Sequence, residues 1–333
     1  MNIHAETDAR RARGTTRAMR AAVLTAPRRI ELREVPLPEP GPGDVRVRLE
    51  GCGVCASNVT PWTGPEWMRF PTAPGDLGHE GWGVVDAVGR DVRHLREGDR
   101  VTTLFQKSYA EFDVGPADQA VALPPALGDA PLPGEPLGCA VNVIRRARLQ
   151  PGETVAVVGL GFMGLLLVRL AALAGARVVA VGRKPQAQAR ALDLGAAMAV
   201  APDDAAAAAA GIARDGLFDC VIEATGHQEP LDLAATLTTT RGRLVIAGYH
   251  QDAPRRVDMQ LWNWRGLDVI NAHERDPAIY LDGIREAIAL VAAGQLDPSP
   301  LYTHVLPFDR LNEALQLAAT RPEGFVKSLV VMP

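Results

Sequence analysis

The chain has 333 residues and a formal net charge of −4, with 47% hydrophobic and 22% charged residues. This is the balance of a soluble globular protein with a core large enough for one or two domains. It excludes a dominant nucleic-acid or membrane surface, and no uninterrupted apolar stretch is long enough to cross a bilayer. Cys52, Cys55, Cys139 and Cys220 are too few and too scattered for a secreted disulfide framework.

Residues 1–18 are polar, lack the apolar core of a signal peptide, and are expected to form a disordered arm on a cytoplasmic protein. From Met19 the pattern is short strands: Ala21–Leu24, Ile30–Val35 and Val45–Glu50, then Gly81–Gly89 and Asp99–Thr103, separated by Gly- and Pro-rich turns. This style predicts a partly open barrel. The character changes near Leu137. An apolar helix pattern covers Ala140–Ile144, and strands are expected at Thr154–Gly159, Arg177–Val181, Asp219–Ala224 and Arg243–Ala247. Helices are expected at Leu165–Ala174 and Pro185–Leu194, and the alanine run Ala205–Ala210 also reads as helix. Near-continuous apolar strands alternating with helices predict a parallel sheet covered on both faces. The tail is expected to return to the first domain through a helix at Ile279–Ala293, a strand at Leu301–Leu306, a helix at Phe308–Ala319 and a strand at Lys327–Val331.

Two motifs carry chemistry. Cys55 at a glycine-rich turn, the triplet Gly78-His79-Glu80 and Glu135 are residue types that suit zinc, and three protein ligands with an open fourth position make a catalytic site. Gly159-Leu-Gly-Phe-Met-Gly164 lies between an apolar strand and an apolar helix, the context of a dinucleotide fingerprint. Taken alone, a glycine-rich turn is weak evidence.

Seven blocks in order, GCGVCASN, GHEGWGVVDAVG, GDRV, YAEF, EPLGCAVNVIRRA, GLGFMG and THVLPFDRLNEAL, give a stronger signal. From about Met19 onward the chain resembles the zinc-dependent alcohol dehydrogenase type of the medium-chain dehydrogenase/reductase superfamily, nearest its sorbitol (polyol) branch. The resemblance implies an α/β protein: a GroES-like β-barrel catalytic domain over 19–138 and 273–333, and a Rossmann doubly wound domain over 139–272. It implies Lewis-acid activation of an alcohol by zinc and hydride transfer to nicotinamide in the cleft between them.

By the same resemblance, Cys55, His79, Glu80 and Glu135 are the metal residues, with Glu135 binding directly or through water and Cys139 as its substitute. Ser57 matches a proton-relay hydroxyl. Asn58 stands where the family has an aspartate behind the ligands, and Thr60 where many members have a relay histidine. No cysteine lies between Val101 and Tyr109, so one zinc per chain is expected. Cys52 is expected to pack in the core. Gly159, Gly161 and Gly164 are expected to shape the pyrophosphate turn, with Met163 behind the nicotinamide and Lys327 approaching the pyrophosphate. The second strand ends in Gly182-Arg183-Lys184, not in the carboxylate that holds a ribose diol, so NADP(H) is expected over NAD(H). Trp62 and Trp67 are pocket or core aromatics, and His273, Glu274 and Arg275 fall near the cleft. Trp262-Asn-Trp264 and the strand after it are expected at a homodimer or homotetramer contact.

The expected reaction interconverts a secondary alcohol and a ketone on a sugar alcohol, sugar or cyclitol. The alternatives are an NADPH-dependent reductase of a specialised ketone or aldehyde, and a metal-free NADPH-binding sensor or structural protein.

Overall fold

The computed structural model describes residues 17–213 and 215–333. Most of the expected N-terminal arm, residues 1–16, lies outside them, and the first strand begins at Ala18.

Two sheets organise the described residues. The first is a seven-stranded, mostly antiparallel sheet. At its centre Asp44–Gly53 pairs antiparallel with Gly81–Val88, Cys52 lying opposite Gly81. Ser328–Val331 pairs with the other edge of Asp44–Gly53, Leu329 opposite Gly53, and carries the tail strand His304–Pro307 beside it. The chain's last strands thus complete a sheet begun by Asp44–Gly53. A separate hairpin, Ala18–Ala26 with Arg29–Pro36, covers it.

The second sheet is six-stranded and wholly parallel. Its order is Met198–Val200, Arg177–Val181, Thr154–Val158, Phe218–Glu223, Thr238–Ile246 and Asp268–Asn271. Numbered along the chain this is 3-2-1-4-5-6, the doubly wound dinucleotide-binding order, whose switch point lies between Thr154–Val158 and Phe218–Glu223. Alternation explains the two-faced burial. Val155 and Val157 enter one core with helices Gly134–Ala147, Phe162–Leu173 and Pro277–Ala292. Ala156 and Val158 enter the other, with helices Ala205–Ile212 and Gln228–Leu237.

Glycines allow one close helix contact that matters for the site. A Cβ on Gly138 would lie 2.4 Å from Ile284, and one on Gly283 would lie 2.6 Å from Asn142. Helices Gly134–Ala147 and Pro277–Ala292 therefore approach closely, and Tyr280 reaches Glu135.

The tail differs in one place. Leu301–Leu306 is not one strand: Ser299–Leu301 is a 3₁₀ turn and the strand starts at His304. The Leu301, Tyr302 and Thr303 amides bond back to the Pro298, Ser299 and Leu301 carbonyls at 3.0, 3.1 and 3.0 Å, which takes them from any ladder, and the Thr303 hydroxyl accepts the Val326 N–H at 2.9 Å.

Candidate active site

Strand register brings three of the four expected metal residues, Cys55, His79 and Glu80, together. Cys55 follows the Asp44–Gly53 strand, and His79-Glu80 precede the Gly81–Val88 strand that pairs with it. Ligating atoms of Cys55, His79 and Glu80 all lie within 4.8 Å of one another. Glu80 is fully buried, and a Cβ on Gly53 would sit 1.8 Å from its Oε2, so any side chain there would displace the carboxylate. Lys327 Nζ lies 2.6 Å from both Glu80 oxygens and donates to Oε1, leaving Oε2 without a hydrogen bond.

His79 Nδ1 is 3.0 Å from the Leu77 carbonyl, and as a donor to it leaves Nε2 for a ligand. Burial opposes charge on His79, but the Cys55 sulfur, then Glu135 and Glu80, outweigh it and hold the imidazole up to about 10. Surroundings that hold a proton so firmly also favour a cation. A soft sulfur, an imidazole and a carboxylate whose Oε2 has no hydrogen bond of its own form a donor set that fits zinc.

Glu135 stands apart from this group. Tyr280 donates its hydroxyl to Glu135 Oε1, and burial pushes the carboxyl above the usual range. Cys139, one turn on, is pushed up to about 12 by burial and stays a thiol. Ser57 and His79 line a cleft of about 420 Å³, together with Asp76 and Trp67 of the barrel side and Tyr249 and Gln251 from the parallel-sheet side.

The glycine turn has the shape a pyrophosphate needs. Gly159 has φ +104°, and a Cβ on Gly164 would lie 1.7 Å from the Gly159 carbonyl oxygen, so both positions require glycine. A Cβ on Gly161 would meet nothing within 4 Å. That open space lies at the uncapped N-terminus of helix Phe162–Leu173, where backbone N–H groups favour an anion.

Comparison with known proteins places the chain in a family. The family pattern described as "Alcohol dehydrogenase GroES-like domain" matches residues 41–125, and "Zinc-binding dehydrogenase" matches residues 163–288. A provisionally named D-xylulose reductase of Agrobacterium fabrum is 31% identical over 356 residues, covering 95% of this chain and all 100% of that protein. The chain belongs to the zinc-dependent medium-chain dehydrogenase/reductase family.

It lies near the family's polyol branch and is an oxidoreductase of the alcohol dehydrogenase type. Ovis aries sorbitol dehydrogenase is 27% identical, with 88% of this chain and 91% of that protein aligned. A provisionally named zinc-binding dehydrogenase of Sinorhizobium meliloti, solved with NADP bound, superposes with TM-score 0.81 at 29% identity, covering 95% of this chain and 99% of that one.

Within that family frame, several expected residues find other partners. Lys327 is not free to meet a pyrophosphate: its ammonium is buried against Glu80 and lies 4.9 Å from the centroid of the Phe162 ring. Burial opposes that charge, but Glu80 outweighs it and raises the Lys327 pKa. Lys184 donates to the Arg321 carbonyl at 2.7 Å, which leaves the exposed Arg183 as the freer cation of the pair. A Cβ at Gly182 would lie 2.7 Å from Leu160, so a carboxylate side chain there would have to displace it. Met163 is half-buried against the core beside the turn. Asn58 does not reach His79: its amide donates to the Leu77 carbonyl at 2.9 Å and the Tyr109 hydroxyl at 2.7 Å. Trp62 is core, its indole N–H bonded to Asn312, whereas Trp67 is 62% exposed in the cleft. Cys52 is fully buried, as a packing residue is.

Leu77, Tyr109, Tyr280, Tyr249 and Gln251 were not foreseen. Leu77 adopts φ +73°, a left-handed conformation that turns its carbonyl toward His79 and Asn58, and nothing in a leucine codon position signals it.

Proposed function

We propose that the protein is an NADP(H)-preferring dehydrogenase that interconverts secondary alcohols and ketones on polyhydroxylated substrates. The observation that carries the cofactor choice is the end of the Arg177–Val181 strand: no carboxylate follows it, a side chain at Gly182 would have to displace Leu160, and Arg183 is exposed beside it. The NADP bound to the Sinorhizobium relative supports the same choice. The sorbitol and xylulose activities named for the relatives support the substrate class.

In this account Cys55, His79 and Glu80 hold one zinc, which when bound supplies Lewis-acid polarisation of the substrate oxygen. Glu135, kept by Tyr280, stays in reserve or acts through water. Ser57 takes up the substrate hydroxyl proton at Oγ and passes it to the open cleft. Gly159, Gly161 and Gly164 cradle the pyrophosphate, Met163 backs the nicotinamide, and Arg183 faces the 2′-phosphate, with Lys184 joining it on release from the Arg321 carbonyl. Residues 139–272 form the nucleotide domain, and 19–138 with 273–333 the catalytic one. Exposed Trp264 and Met259 beside the edge strand Asp268–Asn271 support a homo-oligomer. Four free thiols suit a cytoplasmic setting.

The test is kcat/KM for NADP⁺ against NAD⁺ with a panel of polyols. A preference of about tenfold or more for NADP⁺, collapsing in Arg183→Ala, is expected from one lost phosphate contact. A preference for NAD⁺ would sink the cofactor assignment.

A further inference from the structure

The carboxylate edge of the parallel sheet holds a second buried polar network, away from the metal residues. Glu223 ends its strand fully buried. It accepts the backbone N–H groups of Thr225 at 2.5 Å and Gly226 at 3.0 Å, and the Thr225 hydroxyl. Its other oxygen lies 3.0 Å from His250 Nε2. On the far side of that ring, Arg255 Nε donates to His250 Nδ1 at 2.8 Å, and Arg255 Nη2 donates to the Gly226 carbonyl at 2.6 Å. An arginine can only donate, so Nδ1 accepts and the ring proton sits on Nε2, facing Glu223. A Cβ on Gly248 would lie 2.2 Å from the Gly226 amide, so the loops after both strands are in contact as well as bonded.

The residues on either side of His250 point elsewhere. Tyr249 and Gln251 line the cleft that holds Ser57 and His79, while His250 between them turns down to Glu223. The Gln251 N–H bonds back to the Tyr249 carbonyl at 3.1 Å, a tight turn centred on His250 from which the flanking side chains diverge. The Tyr249 ring also stacks on His273, centroids 6.0 Å apart. Among the described residues, neither the Tyr249 hydroxyl nor the Gln251 amide has a side-chain hydrogen bond, so both are available to a ligand.

We infer that Glu223, His250 and Arg255 form a latch that positions Tyr249 and Gln251 as the specificity-determining wall of the substrate cleft, where they read hydroxyls beyond the reacting one. This rests on the dehydrogenase reading above and adds the residues that select a polyhydroxylated substrate over a simple alcohol. Facing them from the other side are Trp67, Asp76 and Gln106, an aromatic surface with a carboxylate and an amide. Such a lining offers apolar contact to a carbon chain and polar partners to its hydroxyls, and its carboxylate disfavours anionic substrates. Sites built to bond a hydroxyl reject analogues that lack it far more strongly than apolar pockets reject an added one.

The experiment compares D-sorbitol with 2-propanol, using NADP⁺ and the zinc-loaded enzyme. His250→Ala and Gln251→Ala are each expected to lower the ratio of the two kcat/KM values by about tenfold or more, chiefly through the KM for sorbitol. The double variant is expected to be little worse than the stronger single one, because both changes act on one wall. A ratio left unchanged by both variants would overturn the inference. Hydrogen exchange supplies a readout independent of turnover: His250→Ala should speed exchange over residues 248–256 and leave the glycine turn at 159–164 alone. Unchanged exchange in that loop would refute the latch. If the wild type oxidises neither alcohol, the proposed activity fails and the hydroxyl-reading role with it, while exchange still decides the latch.

Discussion

Glu80 and Lys327 meet across 247 residues of sequence, both almost wholly buried. A buried charge is tolerated when paired and costly when its partner is removed. In zinc-free protein, Lys327→Met should therefore destabilise by about 3–5 kcal/mol, whereas Glu80→Gln with Lys327→Met should recover much of the loss. Denaturant melts in the presence of a chelator check this, and a double variant no better than Lys327→Met would contradict it. Gly53→Ala makes a related point: its Cβ would fall 1.8 Å from Glu80 Oε2, so the variant should fold yet hold less zinc. At this scale the types of Cys55, His79 and Glu80 were legible because they sit in glycine-rich turns with little else to do. The partners were not. Lys327 reads as a strand-end lysine, and only the pairing of Leu329 opposite Gly53 brings it to Glu80. Tyr280 reaches Glu135 only because two helices close on Gly138 and Gly283.

At the scale of elements, the strand–turn–helix unit around Gly159 separates fold from function. Gly164→Ala places a Cβ 1.7 Å from the Gly159 carbonyl oxygen and should cost both stability and cofactor binding. Gly161→Ala meets nothing in the protein and should leave Tm nearly unchanged, yet weaken NADPH binding about tenfold or more by filling the cradle. Equal effects of the two on Tm would contradict this division. The strands of the parallel sheet were readable because burial on both faces leaves an apolar run, as in Thr154–Val158 and Arg177–Val181. Helices Gln228–Leu237 and Met259–Arg265 were not foreseen. Pro230 sits in the first turn of the one, where it is tolerated, and the other is short and starts at Asp258, whose side chain accepts the Leu261 N–H at 2.9 Å.

Over the whole molecule, the tail strand Ser328–Val331 returns to the first sheet and sets Lys327 between Glu80, 2.6 Å away, and the Phe162 ring of the glycine-turn helix, 4.9 Å away, so the metal cluster adjoins the nucleotide turn. That return was legible in outline, since the tail alternates helix and strand after the parallel sheet is complete. The cleft wall was not, because Tyr249 and Gln251 come from a loop whose course depends on Glu223 and Arg255. Trp264, 88% exposed near the edge strand Asp268–Asn271, belongs to an assembly on this account. Trp264→Glu should lower the mass seen by light scattering, and a monomeric wild type would contradict that. The central claim is that Cys55, His79 and Glu80 hold a zinc that the chemistry requires. Elemental mass spectrometry of the purified protein tests it most directly: about one zinc per chain is expected in the wild type and far less in Cys55→Ser. A wild type without zinc even after incubation with the metal would contradict it.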